Sequence, residues 1–284
     1  MENASVTRIE TVIEYIETNL NGKLSLETVA EAVHYSKYHL HRMFTDMVGM
    51  TIHDYVQRRQ LTEAAKLLVF SDKPVIEIAF LCGYESQQAF TTAFKSMYKT
   101  PPADYRENRA FYPLQLRFSL HRAASCEAFT KSNIRVAEET DIPSWLELMR
   151  LVIDGYPAMD ETEYLEKLKE FIREKRALIL YDRGVAIGVM AFSNHPGSID
   201  FLGIHPQYRN RGIQKLFLDV LMEEYLPGQE ISMTTYRAQD KADTGQRKML
   251  KELGFAEREL LMEFGYPTQR FVLSATKQED PTDE

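Results

Sequence analysis

Val29-Ala30-Glu31-Ala32-Val33-His34-Tyr35-Ser36, followed by Leu40 and Phe44, decides the reading of the first part of the chain, because the chain writes it twice. The second copy runs Ile78-Ala79-Phe80-Leu81-Cys82-Gly83-Tyr84, then Ser86, Phe90 and Phe94. Each copy reads as a short helix closing at a His or Gly, a tight turn, a serine suited to cap a new helix, and apolar residues four apart on that helix. That is how a helix-turn-helix looks in sequence. Two of them on one all-helical unit predict two recognition helices for double-stranded DNA.

Working outward, Val12, Ile13, Ile16 and Leu20 give a first helix over 7–20, ended by Asn21-Gly22. Further helices are expected over 26–33, 37–48, 52–69, 75–81, 87–97 and 102–106. The long one, from Ile52 to Val69, would join the two motifs. Pro74 suits a helix start, and Pro101-Pro102 breaks the chain after the second motif.

On the first recognition helix Leu40, Met43 and Phe44 go inward, which leaves Tyr38, His41, Arg42 and Thr45 facing out. Arginine reads guanine O6 and N7, while His and Tyr contact bases or phosphate. On the second, Phe90 and Phe94 go inward and Gln87, Gln88, Thr91 and Thr92 face out. Glutamine pairs bidentately with adenine; threonine offers a hydroxyl to phosphate and a methyl to thymine.

Net charge gives this reading no help. The chain carries 34 basic and 42 acidic side chains, net −8, and residues 1–112 hold 12 and 14 of them. Local placement has to carry the case. Glu10, Glu14, Glu17, Glu27 and Glu31 lie on the first two helices, whereas Lys37, Arg42, Arg58, Arg59, Lys95 and Lys99 lie on or near the reading helices. A dipolar domain of this kind implies modest affinity and steep salt dependence.

Residues 109–133 form a linker with apolar, strand-like content around Leu114, Leu116, Phe118 and Leu120. From Ile134 the rhythm turns to mixed helix and strand. Strands are expected at 134–137, 177–181, 185–192, 198–204, 231–236, 260–264 and 271–275. Helices are expected at 142–153, 164–173, 213–226 and 244–253, and the tail 277–284 is acidic. The expected architecture is an all-α double helix-turn-helix bundle (1–108), the linker, and an α/β (α+β) mixed-sheet domain (134–276).

Within that second domain, Ile204-His205-Pro206-Gln207-Tyr208-Arg209-Asn210-Arg211-Gly212-Ile213-Gln214-Lys215 puts a basic, glycine-containing loop between a strand and a helix. Helix starts hold orphan N–H groups and the positive dipole end, so they seat phosphate. Arg209, Arg211 and Lys215 would add charge.

Composition sets outer limits. At 284 residues the chain has room for two domains, and the absence of any run of eighteen apolar residues excludes a membrane span. Met1 to Thr11 show no signal pattern. Cys82 and Cys126 make neither a metal spacing nor a disulfide framework, and Cys82 reads as a buried thiol, which fits a reducing cytoplasm. His121, His195 and His205 have no partners at ligand spacing, so no metal is expected.

Residues 7–108 resemble the DNA-binding domain of the AraC/XylS family of bacterial transcription regulators. The resemblance rests on Ser36 to Phe44, Gly49, Tyr55, Arg59, Ala64 to Leu68, Ile78-Ala79, Gly83-Tyr84, Phe90, Phe94-Lys95, Pro101-Pro102 and Tyr105-Arg106. It implies two recognition helices in successive major-groove segments, with base contacts near Tyr38, His41, Arg42, Gln87, Gln88 and Thr91.

The basic loop resembles the coenzyme A pyrophosphate loop of GNAT-type acetyltransferases through Pro206 to Arg209 and Gly212, with Leu253-Gly254-Phe255 as a later match. This implies acetyl-CoA or another acyl-CoA as ligand. Leu202 and Ile204 would sit on the strand that pairs with the pantetheine arm, and Arg209, Asn210, Arg211, Gly212, Ile213, Gln214 and Lys215 would hold the pyrophosphate. Asp200 is the candidate general base and Tyr236 the candidate acid.

This chain departs from the pattern at three places. Gln214 replaces the final Gly/Ala of the loop, Asp243 stands for an Asn, and Leu250 stands where many members carry the Tyr that protonates the thiolate. Three readings stay open for the second domain: an acyl-CoA or small-ligand sensor, an active N-acyltransferase, or a domain kept for contacts. The chain is expected as a monomer or homodimer.

Overall fold

The structure is a computed structural model that describes residues 2–122, 124, 127–152, 161–263 and 265–275. The expected acidic tail, Ile153 and Phe264 lie outside the described residues, as does Cys126.

The N-terminal part is a chain of helices: α1 (Glu2–Thr18), α2 (Leu26–Ala32), α3 (Lys37–Val48), α4 (Ile52–Phe70), α5 (Val75–Leu81), α6 (Gln87–Tyr98) and α7 (Pro102–Asn108). Serine caps start both recognition helices. Ser36 Oγ accepts from His39 N at 3.4 Å and Ser86 Oγ from Ala89 N at 3.2 Å. The turn before each passes through the left-handed region, at His34 (φ 58°) and Gly83 (φ 79°). Only the second requires glycine sterically, because a Cβ there would meet Gln60 Nε2 at 2.7 Å and Gly22 O at 2.8 Å.

Two lobes share α4. Ile9, Ile13, Val29, Leu40, Phe44 and Tyr55 fill the first, and Leu61, Ala65, Ile78, Phe90, Phe94 and Tyr98 fill the second. The same relative positions, Leu40/Phe44 and Phe90/Phe94, are fully buried in each. Burial of an aromatic this size contributes about 2–3 kcal/mol, so the repeat is set by packing.

The stretch after α7 is extended but forms no strand among the described residues. Leu114, Phe118 and Leu120 pack into the helical cores, and Thr62 Oγ1 accepts the amides of Leu114 and Gln115. Its apolar alternation therefore reflects a strap laid on helices.

The second domain has a seven-stranded sheet in the order β1-β2-β3-β4-β5-β7-β6. Its strands are β1 (Ile134–Val136), β2 (Ala177–Asp182), β3 (Val185–Asn194), β4 (Gly197–Ile204), β5 (Ile231–Tyr236), β6 (Ala256–Glu263) and β7 (Tyr266–Leu273). Helices α8 (Ile142–Val152) and α9 (Glu161–Arg173) cover one face. Helices α10 (Ile213–Val220) and α11 (Gln246–Glu252) cover the other. Helix α10 continues into a wider π-type turn over Leu221–Tyr225, so the expected helix to 226 changes pitch midway.

The last two strands are longer than their sequence pattern predicts, and they begin earlier. β6 is an edge strand with most of its side chains in solvent, and Glu257, Arg258 and Glu259 give it no alternation to read.

All neighbouring strands are antiparallel except β4 and β5. These run parallel and share a single registered pair among the described residues, Ser198 with Ser232. They touch at their N-terminal ends, where a Cβ on Gly197 would lie 2.5 Å from Glu230 O. Beyond that pair they separate, leaving the β5 side of β4 without a ladder in the middle of the sheet.

Candidate functional site

On α3, Lys37, Tyr38, His41 and Arg42 project into solvent, with Tyr38 80% exposed. On α6, Gln87, Gln88, Thr92 and Lys95 do the same, and Thr91 is half-buried. The structure thus brings the seven expected reading residues onto two open helix faces. Thr45 differs. Its hydroxyl is buried with no hydrogen-bond partner.

Two basic residues expected near the reading helices are not available there. Arg58 is 1% and Arg59 7% exposed. Arg59 forks onto Glu17, with Nε to Oε1 at 2.8 Å and Nη2 to Oε2 at 2.7 Å, and Tyr55 OH donates to the same Oε1 at 2.7 Å. Arg58 Nη2 donates to Ala242 O of the second domain at 2.6 Å. Lys99 is likewise taken, in a 2.6 Å ion pair with Asp240. Of the six expected cations, Lys37, Arg42 and Lys95 remain on the exposed face. The Cys82 thiol is buried, which pushes its pKa up to about 12.

The second candidate site is the gap between β4 and β5. Leu202 and Ile204 turn their side chains into the core, leaving their backbone along the opened edge. A backbone edge with unpaired N–H and C=O groups is a seat for an extended, amide-bearing chain. At the end of β4 the chain makes a 3-10 turn over Pro206–Arg211 and reaches Gly212 at φ 71°, where α10 begins. The first helical bond there runs from Leu216 N to Gly212 O. The amides of Ile213, Gln214 and Lys215 therefore have no partner within α10 and point out of its start. Nothing lies within 4 Å of the position a Cβ on Gly212 would take, so the space beside that residue is open. The backbone geometry fits a diphosphate-bearing ligand such as coenzyme A.

The side chains of the loop point elsewhere. Gln214 Nε2 folds back to donate to Arg209 O at 3.1 Å, Lys215 pairs with Asp219, and Arg211 stacks on the Tyr208 ring at 4.8 Å. Asn210 is exposed. Arg209 lies against the C-terminal end of α3: a Cβ on Gly49 would be 3.0 Å from its Nη1 and 3.1 Å from its Cδ. Gly49 ends α3 in the left-handed region at φ 78°.

Asp200 sits at a bulge. Ala191 pairs with Phe201 and Phe192 with Ile199, so Asp200 is the extra residue on β4, just past the point where β5 departs. Its carboxylate accepts from Ser193 Oγ at 2.6 Å and Ser198 Oγ at 2.9 Å. Ser198 lies two residues before it on the same strand, whereas Ser193 meets it only across the hairpin, a contact that sequence spacing does not reveal.

Tyr236 lies at the C-terminal end of β5, beyond the one point where β5 pairs with β4. It is buried, stacks near Tyr266 (6.2 Å between ring centres), and packs into the second helical lobe. Leu250 is fully buried in the sheet core. No metal-holding cluster of His, Cys, Asp and Glu is found among the described residues, and none of their helices is long and apolar enough to cross a membrane.

A paired helix-turn-helix bundle joined to a mixed sheet with a splayed parallel pair and a helix-start anion seat defines a class: a DNA-binding module carried with an acyltransferase-type domain. Residues 29–108 match the family "Helix-turn-helix domain" and residues 145–255 the "Acetyltransferase (GNAT) family". The chain belongs to the AraC-type helix-turn-helix regulators and carries a GNAT domain in its C-terminal half.

It is 39% identical over 118 residues to the Multiple antibiotic resistance protein MarA of Escherichia coli, an alignment spanning 39% of this chain and 93% of MarA. It is 40% identical over 102 residues to the Probable transcription factor PqrA of Proteus vulgaris, spanning 35% of this chain and 84% of PqrA. Among solved structures it is similar to the C-terminal domain of AraT, a response regulator from Geobacillus stearothermophilus. That match has 31% identity and TM-score 0.36, and covers 37% of this chain and 88% of AraT's. A GNAT-family acetyltransferase from Bacillus cereus matches at 17% identity and TM-score 0.41, covering 51% of this chain and 98% of its own.

Proposed function

We propose that this protein is a cytoplasmic, sequence-specific transcription regulator whose second domain binds an acyl-CoA as a sensor. Tyr38, His41 and Arg42 on α3, with Gln87, Gln88, Thr91 and Thr92 on α6, read base edges in successive major grooves. The start of α10 holds the diphosphate through the amides of Ile213 to Lys215, with Arg209 and Arg211 turning toward it. The free edge of β4 at Leu202 and Ile204 takes the pantetheine arm as an added strand.

One observation carries the sensor reading: Arg209 of the phosphate loop lies on the C-terminal end of α3. The loop that would respond to a ligand and the helix that would read DNA touch each other. A ligand shifts an equilibrium only through differential contacts in the two states, and this contact supplies one.

The test is calorimetric titration of the full chain with acetyl-CoA, with and without a duplex from its own promoter. Coupled sites change each other's affinity by the same factor. A dissociation constant for acetyl-CoA that moves with DNA is the expected result; an identical constant in both titrations ends the sensor reading.

A specific observation favours a second reading, an active N-acyltransferase. Asp200, held in its bulge by two serine hydroxyls, has the placement of a base for an acceptor amine. Against it, Leu250 has no hydroxyl and Tyr236 is committed to the domain contact. Acetyl transfer to a panel of amines, lost in Asp200→Asn, would establish it.

A further inference from the structure

We infer that the N-terminal domain is a lid over the wide end of the strand gap, so that the docked arrangement of the two domains and a bound acyl-CoA exclude one another. The inference rests on the acyl-CoA reading of that gap.

β4 and β5 are parallel and touch at their N-terminal ends, so the gap widens toward Ile204 and Tyr236. A ligand with its diphosphate on the start of α10 and an extended arm along β4 has to enter from that end. Two loops border the entrance, one after each strand, and the N-terminal half holds both.

After β4, Arg209 lies on Gly49 at the close of α3. The Gln207 side chain grips the strap by accepting from His121 N at 2.8 Å and donating to His121 O at 3.0 Å. After β5, Lys99 makes its 2.6 Å ion pair with Asp240, whose side chain is 6% exposed, and Arg58 donates to Ala242 O. The Lys99 ammonium also lies 5.5 Å and 5.9 Å from the ring centres of Tyr236 and Tyr266.

The two states compete for the same groups. The carbonyl end of a helix is its negative pole, so α3 and a diphosphate both attract the Arg209 guanidinium. Lys99–Asp240 acts as a latch, because a buried ion pair holds only while both partners stay in place. Ligand entry separates the loop from α3 and opens the latch, and closure expels the ligand. The coupling is therefore antagonistic between acyl-CoA and the docked state.

The test compares the full-length protein with Asp240→Asn, which keeps the acceptor for Ala242 N (2.9 Å) but loses the charge, and with Lys99→Met, which removes the other partner. Folding of each is checked by circular dichroism. Acetyl-CoA is the probe, read by calorimetric titration and by small-angle scattering.

Both variants are expected to bind acetyl-CoA roughly five- to tenfold more tightly than the parent, the lower range of site-to-site coupling. Saturating acetyl-CoA is expected to increase the radius of gyration of the parent. Measurable binding in the variants alone supports the lid equally. Binding with equal or weaker affinity in both variants overturns the lid and leaves the acyl-CoA reading standing. No binding in any of the three proteins removes the acyl-CoA reading, and the lid with it.

Discussion

His205 closes β4 and caps the turn that follows, its Nδ1 accepting the Gln207 amide at 3.3 Å. Burial, with His121 and Arg209 nearby, lowers its pKa to about 4. The unfolded chain titrates a histidine near 6.5, so between pH 6.5 and 4 the unfolded state binds more protons. Stability is complete above the higher value and falls as pH drops through that window, by on the order of 3 kcal/mol. His205→Asn, which keeps a capping acceptor, is expected to flatten this limb of a melting-temperature profile. An unchanged acid slope in the variant would show that other groups set it.

At the same scale, Arg42→Ala and Gln87→Ala are each expected to weaken binding to the cognate site by about 1–3 kcal/mol while leaving non-specific binding nearly intact. Gel shifts with specific and scrambled duplexes check this. Spacing alone placed those side chains on open faces, because a helix buried on one stripe must expose the other. It does not place Arg58 and Arg59, because Ala242 and Glu17 come from distant segments, and only Glu63, four residues after Arg59, is a local partner.

At the level of elements, α10 shows what a short basic loop can and cannot do. Its anion seat is backbone, and the conformation of Gly212 builds it. Gly212→Glu combines a side chain in the left-handed region, a cost of about 1–2 kcal/mol, with a carboxylate facing the seat. Loss of acetyl-CoA binding by calorimetry, with an intact circular dichroism spectrum, is the expected outcome. Retained affinity would move the diphosphate elsewhere.

Elements with strong periodicity were legible to within a residue or two, α3, α4 and β5 among them. Edge strand β6 was not, since a strand wetted on both faces carries no alternation. The strap after α7 reads as strand-like in sequence, yet its apolar residues face helices instead of a sheet.

Taken whole, the molecule is held together by contacts that join the lobes to the sheet. Tyr236, Ala242 and Tyr266 of the second domain belong to the same apolar cluster as Phe90 and Phe94 of the helical one. Neither domain's own pattern foretells this, because each sequence half is consistent with folding by itself. The departures of Gln214 and Leu250 from the acetyltransferase pattern gain meaning in the folded chain, where Gln214 folds back onto the carbonyl of Arg209, the loop residue that lies on α3, and core packing takes the place of the usual hydroxyl.

The two reading helices are unlike: one presents Tyr, His and Arg, the other Gln, Gln and Thr. A chain so built has a front and a back along the double helix. On the proposed reading, the stretch met by a single copy has no dyad and so possesses a direction, as a printed word does. Reversing that stretch in place turns the protein end for end and carries the sheet domain to the opposite flank. The same operator thus gives two geometries relative to a neighbouring start site, distinguished by orientation alone.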